Sequence, residues 1–283
     1  AEHATLPAHH MAIGLGYIFG LKLPLNFNSP FKATSISDFW RRWHMTMTRF
    51  FTTYLFTPMA ISGTRAAAQR GYGRWRRWAA ASMVPVVVTF LLAGVWHGAG
   101  WTFVVFGLLH GGALAVNHGW RTFNGPDLGP VLGWLLTMSV VVTGLVIFRA
   151  PDLETAGVIL QSMWAFGPLL DIAIAFATDG SLAAALADPA PVAAAESVRL
   201  DAPVALVFVL VYGAIVLGLP NTQEVLRDHW VSSDPEPEDA PEDDRPTILR
   251  WRPTPAWSVA AGALLVLAVA SIGDQSGFLY YQF

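Results

Sequence analysis

The chain has 283 residues, of which 54% are hydrophobic and only 13% charged, and it carries 12 Trp. Soluble domains normally hold about 25% charge, so long uncharged stretches at this level speak against a soluble protein and for one embedded in a membrane. The net charge of −3 conceals segregation: eight of the 17 Lys and Arg lie between Arg41 and Arg77, no acidic residue occurs between Asp38 and Asp127, and seven acidic residues crowd into SDPEPEDAPEDD at 233–244.

With apolar runs on both sides, the basic cluster is not read as a nucleic-acid site. The absence of cysteine excludes disulfides, thiolate metal sites, a cysteine nucleophile and palmitoyl anchoring.

The opening AEHATLPAHH has neither an initial Met nor a signal pattern, so the expectation is a start inside a longer protein, with His9 and His10 in a surface loop. Residues 11–23 are too short to span and read as a re-entrant or half helix. The glycines of GLGYIFG (14–20) miss the dinucleotide fingerprint by one residue, and no strand precedes them. LPLNFNSPFKATS then reads as a loop.

From Ser35 to Phe56, SISDFWRRWHMTMTRFFTTYLF reads as one helix. Ser37 is its expected N-cap and Asp38 is favourable in the first turn. Trp40, Trp43, His44, Met47 and Phe51 then share a face. Two readings stay open: an interfacial helix anchored by Trp and Arg, or a helix that aims His44 into a site.

Arg65, Arg70, Arg74, Arg76 and Arg77 place the loop at 62–78 in the cytoplasm. Residues 79–117 contain no charged side chain and suffice for two passes, with Gly98-Ala99-Gly100 as the turn. Gly94-Val-Trp-His-Gly98 and Gly107-Leu-Leu-His-Gly111 are small-xxx-small patterns that let helices approach closely. Close packing accounts for the glycines but not for His97 and His110. An ionisable side chain at membrane depth normally faces the bundle interior or a wet cavity. His97 is therefore either a functional group in such a cavity or a structural hydrogen-bonding residue, and His110 is a weaker candidate of the same kind. His118, near a helix end, is weaker again.

Further spans are expected at 131–148, 203–219 and 255–272. The Ala-rich stretch 155–187 is expected to lie in the interface or to cross as short helices. The tract at 232–250 reads as a flexible acidic loop. The expected fold is all-α: a polytopic transmembrane helical bundle with re-entrant or half helices around an intramembrane cavity, forming a single domain over 1–283. No metal site is expected, because no carboxylate or i, i+4 histidine accompanies His44, His97 and His110.

With these motifs in hand, the sequence resembles the membrane-bound O-acyltransferase family, in its bacterial alginate-acetylating branch. The resemblance rests on MAIGLGYIFGLKLPLNFNSPF, on F-W-R-R-W-H within SISDFWRRWHMTMTRFF, and on G-x-W-H-G-x-x-W with the following H-G in LLAGVWHGAGWTFVVFGLLHG. VIFRAPDL and FLYYQF are similar to later family markers. The chain departs from the family at His9-His10, where Ser-Asp is usual, and at Thr52-Thr53, where Arg-Asp is usual. Family members carry more helices upstream, so the chain resembles their C-terminal half.

The resemblance implies multi-pass insertion in a bacterial inner membrane. It implies transfer of an acyl group, acetyl first of all, from a cytoplasmic thioester donor such as acetyl-CoA. The acceptor would be a hydroxyl of a surface polysaccharide or an acyl-relay protein, with periplasmic acetylation partners. His97 matches the catalytic histidine and His44 the second conserved one; Trp43, Trp96, Asp38 and His110 would contribute to substrate binding. The arginine loop would attract an anionic donor, or else serve only as a topology signal in contact with anionic lipid. No bound cofactor is expected, and the non-protein surroundings are membrane lipid. D-alanyl transfer to another envelope polymer, a membrane transporter with a histidine proton relay, and a catalytically inactive remnant are the alternatives.

Overall fold

The computed structural model describes residues 12–164, 202–226 and 251–270, and these are mostly helical, with no strand among them. A short helix, α1, covers 12–18 and is closed by a turn in which the Leu21 amide donates to the Gly16 carbonyl at 2.8 Å.

The expected single helix over 35–56 is instead broken. α2 (Ile36–Arg42) ends before Trp43, and α3 (Met45–Phe51) begins after His44, which has left-handed backbone at φ 46°. The N-cap is also corrected. Ser35, not Ser37, accepts the Asp38 amide, at 3.2 Å. The Ser37 hydroxyl instead donates to Asn117 Oδ1 at 2.7 Å and ties α2 to a helix 80 residues away.

α3 runs without interruption through a π-turn (Thr52–Phe56) into α4 (Thr57–Gln69). α5 (Arg74–Trp78) likewise continues through a π-turn (Ala79–Met83) into α6 (Val84–His97). Each π-turn directly precedes an X-Pro pair, Thr57-Pro58 and Val84-Pro85. A proline within a helix lacks an N–H, and its ring collides with the carbonyl four residues back; one wider turn relieves both faults.

These two long helices pair antiparallel. A side chain on Gly63 would overlap the Ala80 carbonyl, and 6.1 Å separates the rings of Phe51 and Trp96 at the other end. The Gly98–Gly100 break falls where expected, and α7 (Trp101–Thr122) returns along α6. At this crossing Gly94 meets the backbone of Phe103 and Gly107 meets that of Phe90, so the glycines of the two motifs set the distance between the helices.

α8 (Gly129–Arg149) and α9 (Leu153–Trp164) follow. The buried core lies where α2 crosses α6, α7 and α8, built from Phe39, Trp40, Val86, Phe106, Leu114 and Val141. Outside it, Trp101, Val131, Leu264 and many other large apolar side chains are exposed, as suits a lipid surroundings rather than water.

Two helices, Arg74–His97 and Gly129–Arg149, are long and apolar enough to cross a membrane. Helices Ala202–Gly218 and Pro255–Ala270 are shorter but apolar. The acidic tract, His9-His10, the closing FLYYQF and most of 155–187 lie outside the described residues.

Candidate active site

His44 owes its position to the loop that precedes it. The Met45 amide donates to the Asn26 carbonyl at 2.9 Å, and the Asn28 amide donates to the Arg42 carbonyl at 2.9 Å. Asn26 Oδ1 accepts both the Thr46 amide, at 3.1 Å, and the Thr46 hydroxyl. Backbone groups freed by the helix break are thus satisfied by residues almost 20 positions away, as a buried chain requires.

The loop is held in turn from far along the chain. Asn221 Nδ2 donates to Asn28 Oδ1 and Ser29 Oγ, both at 2.8 Å, and Gln223 Nε2 donates to the Phe27 carbonyl at 3.1 Å. Lys32 Nζ donates to the Leu219 carbonyl at 2.7 Å. Asn221 is itself fixed by a capping box with Glu224.

This clamp of Asn26, Asn28, Asn221 and Gln223 is what a reading by motif leaves out. The available signals were asparagines placed between apolar residues in LPLNFNSP and an N-x-x-E cap in NTQE. Neither indicates a partner roughly 190 residues distant.

Trp43 closes the break from the side, edge-on to Phe27 at 5.0 Å and stacked on Phe39 at 5.6 Å. His44 is half-buried, 6.2 Å from the Phe27 ring, and its Nδ1 is buried with no partner in hydrogen-bonding geometry. Holding a residue with a Cβ in the left-handed region costs about 1–2 kcal/mol. We therefore expect His44→Gly to be more stable than His44→Ala by about 1 kcal/mol, measured as thermal unfolding in detergent, with both variants lacking the imidazole's function. Equal stability of the two would show that the backbone there is not strained.

His97 is the last residue of α6. Its half-buried ring meets Trp96 at 4.8 Å, Phe148 of α8 edge-on at 5.0 Å, and Phe103 of α7 at 6.4 Å. Because α3–α4 and α5–α6 run antiparallel, the start of α3 and the end of α6 fall at the same end of the pair. His44 and His97 therefore lie at the same end of the pair, where the Phe51 ring stands 6.1 Å from that of Trp96.

The other sequence-nominated residues divide clearly. Trp96 is 64% exposed and bridges His97 and Phe51. His110 is fully buried, where Trp40 Nε1 donates to its Nδ1 at 3.3 Å and Phe106 packs against the ring at 4.6 Å. It occupies the core between α2, α7 and Gly144 of α8. Asp38 is engaged by Arg42 Nε at 3.0 Å and Arg41 Nη2 at 3.2 Å. Arg65, Arg70, Arg74, Arg76 and Arg77 are all exposed near the opposite end of the helix pair, but the loop expected at 62–78 is only a turn at 70–73: Arg65 lies within α4, and Arg74, Arg76 and Arg77 within α5. Twenty residues of helix separate Arg77 from His97, roughly 30 Å along the axis.

Residues 5–126 match the membrane-bound O-acyltransferase family, a stretch that includes both His44 and His97. The chain is 43% identical over 157 residues to the peptidoglycan O-acetyltransferase of Helicobacter pylori, covering 54% of this chain and 27% of that protein. It is 36% identical over 157 residues to "Probable alginate O-acetylase AlgI" of Azotobacter vinelandii, covering 56% and 29%. It is also 31% identical over 134 residues to the teichoic acid D-alanyltransferase of Bacillus subtilis, covering 47% and 32%. The matches thus span less than a third of each relative's length.

Proposed function

From a segment at 5–126 that matches the membrane-bound O-acyltransferases, we propose that this chain forms the histidine-bearing part of a multi-pass inner-membrane enzyme. In this reading it moves an acyl group, acetyl in the first instance, from a thioester donor such as acetyl-CoA to a hydroxyl of an envelope polymer or of a relay protein. The observation that supports it is the placement of His44, at a break between two helices, and of His97, at a helix terminus, at the same end of two antiparallel helices.

His97 is the general base. Its imidazole takes the proton from the acceptor hydroxyl as the oxygen attacks the thioester carbonyl; the C–S bond then breaks, and the imidazolium returns the proton to the departing thiolate. The half-buried His44 ring orients the acceptor hydroxyl or polarises the donor carbonyl. Trp96, exposed beside His97, and Trp43, behind the break, shape the walls.

The polymer finally acylated, directly or through the relay protein, belongs to the cell envelope. Named relatives acylate peptidoglycan, alginate or teichoic acid, and a hydroxyl acceptor is common to all three readings. Mass spectrometry of envelope glycans from cells with and without the intact protein tests this. Loss of O-acetyl groups from one polymer is expected. Loss of D-alanyl esters instead would change the acyl group, and coupled proton flux with unaltered glycans would replace the reading with transport.

A further inference from the structure

The basic end of the molecule, roughly 30 Å from the histidines, has a feature that acyl transfer does not use. Between α5 and the end of α7 lies an apolar groove of about 410 Å³, lined by Trp75, Trp78, Val116, Trp120, Phe123 and Pro126. Its walls pack on one another. Trp75 stacks on Phe123 at 3.9 Å, Trp78 meets the same ring edge-on at 5.7 Å, and Trp120 Nε1 donates to the Pro126 carbonyl at 2.9 Å.

Arg74 stands at the edge of the groove, and four further arginines lie within a few residues of its lining in the chain. The Arg74 guanidinium lies 4.9 Å from the centre of the Phe123 ring and donates to the Thr122 carbonyl. Arg121 neighbours Trp120 and is exposed. Arg70, Arg76 and Arg77 gather around Tyr72, contacting its hydroxyl, ring and carbonyl respectively. Among the described residues no carboxylate pairs with any of these five. Asp127, the nearest acid in sequence to Arg121, accepts the Gly129 amide at 2.9 Å. A guanidinium has five donors, so most of this capacity is available to an anion.

An apolar groove bordered by uncompensated cations, at the start of a spanning helix, matches one class of ligand in charge and polarity. We propose that it binds an anionic phospholipid of the surrounding leaflet, with an acyl chain against Trp75, Trp78 and Trp120 and the phosphate on Arg74 and Arg121. The site rests on the membrane-spanning reading of α5–α6 and not on the chemistry assigned to His97.

Native mass spectrometry of the full chain, titrated with phosphatidylglycerol or phosphatidylcholine of identical chains, tests it. Phosphatidylglycerol should bind several-fold more tightly. Arg74→Gln and Arg121→Gln should each weaken it about fivefold, the effect of one basic residue at a charged membrane surface. Arg121→Gln is the safer variant, because Arg74 also holds the end of α7. Val116→Trp, a change at a largely exposed position that fills the groove, should abolish the preference. Equal affinity for both lipids, unchanged by these variants, would overturn the site in favour of ordinary annular lipid. Displacement of phosphatidylglycerol by acetyl-CoA or by inorganic phosphate would overturn it in favour of a soluble anion.

Discussion

His97→Ala is expected to lower acyl transfer by about 10²–10⁴-fold, the usual contribution of a positioned general base, with little change in thermal stability. The reasoning combines position and contacts. The side chain sits at the helix terminus, half-buried, and its contacts are with the rings of Trp96, Phe103 and Phe148. Removing it leaves the Gly94–Gly107 crossing and the core around Trp40 and Val141 in place.

His97→Gln separates proton transfer from positioning, since the amide retains a hydrogen-bonding group but cannot take a proton at neutral pH. It should be as inactive as His97→Ala. The measurement is the initial rate with the intact protein in membranes, alongside an unfolding curve of each variant in detergent. Full activity in His97→Ala would remove the residue from the mechanism; activity in His97→Gln alone would make it a positioning residue.

The largest structural effect is expected from Gly107→Val. A Cβ at Gly107 would overlap the Phe90 carbonyl, and one at Gly94 would overlap the Phe103 carbonyl. The obstacle on each side is backbone within a long helix, which no rotamer change can move aside. Overpacking a core costs about 1–3 kcal/mol when side chains can adjust, and here they cannot, so the α6–α7 hairpin should separate and folded protein should fail to accumulate.

Gly112→Ala is the matched control. It lies on the same helix with nothing near its missing side chain, and should be neutral or stabilising by up to about 1 kcal/mol through helix propensity. Size-exclusion profiles of the two variants in detergent distinguish them. A monodisperse Gly107→Val peak with wild-type stability would show that close approach there is dispensable.

Much of the architecture was legible because its causes are local. The hairpin at 79–117 follows from an uncharged run interrupted by Gly98-Ala99-Gly100, and a small-xxx-small spacing already states that two helices will touch. The break at Trp43–His44 was not legible. Trp40, Trp43, Met47 and Phe51 keep helical spacing across it, so periodicity alone continues the helix through residues that leave it. The N-cap was misplaced for a related reason: Ser35 and Ser37 are equally good caps by residue type, and Asn117, 80 residues on, engages the second. His110 shares its motif shape with His97, yet one is sealed in the core by Trp40 while the other ends a helix.

By itself the sequence determined a membrane-grade helical chain, the residues at which its helices pack closely, and the two imidazoles that could carry proton transfer. Those depend on composition and on spacing within one helix, where side-chain positions follow from 3.6 residues per turn. Only the tertiary structure decided that His44 leaves its helix and lies at the same end of the helix pair as His97. A left-handed residue is unfavourable on its own and persists because Asn26 and Asn28 satisfy the backbone around it, on a loop that Asn221 and Gln223 hold in place, and such contacts have no signature in the residues that flank the break.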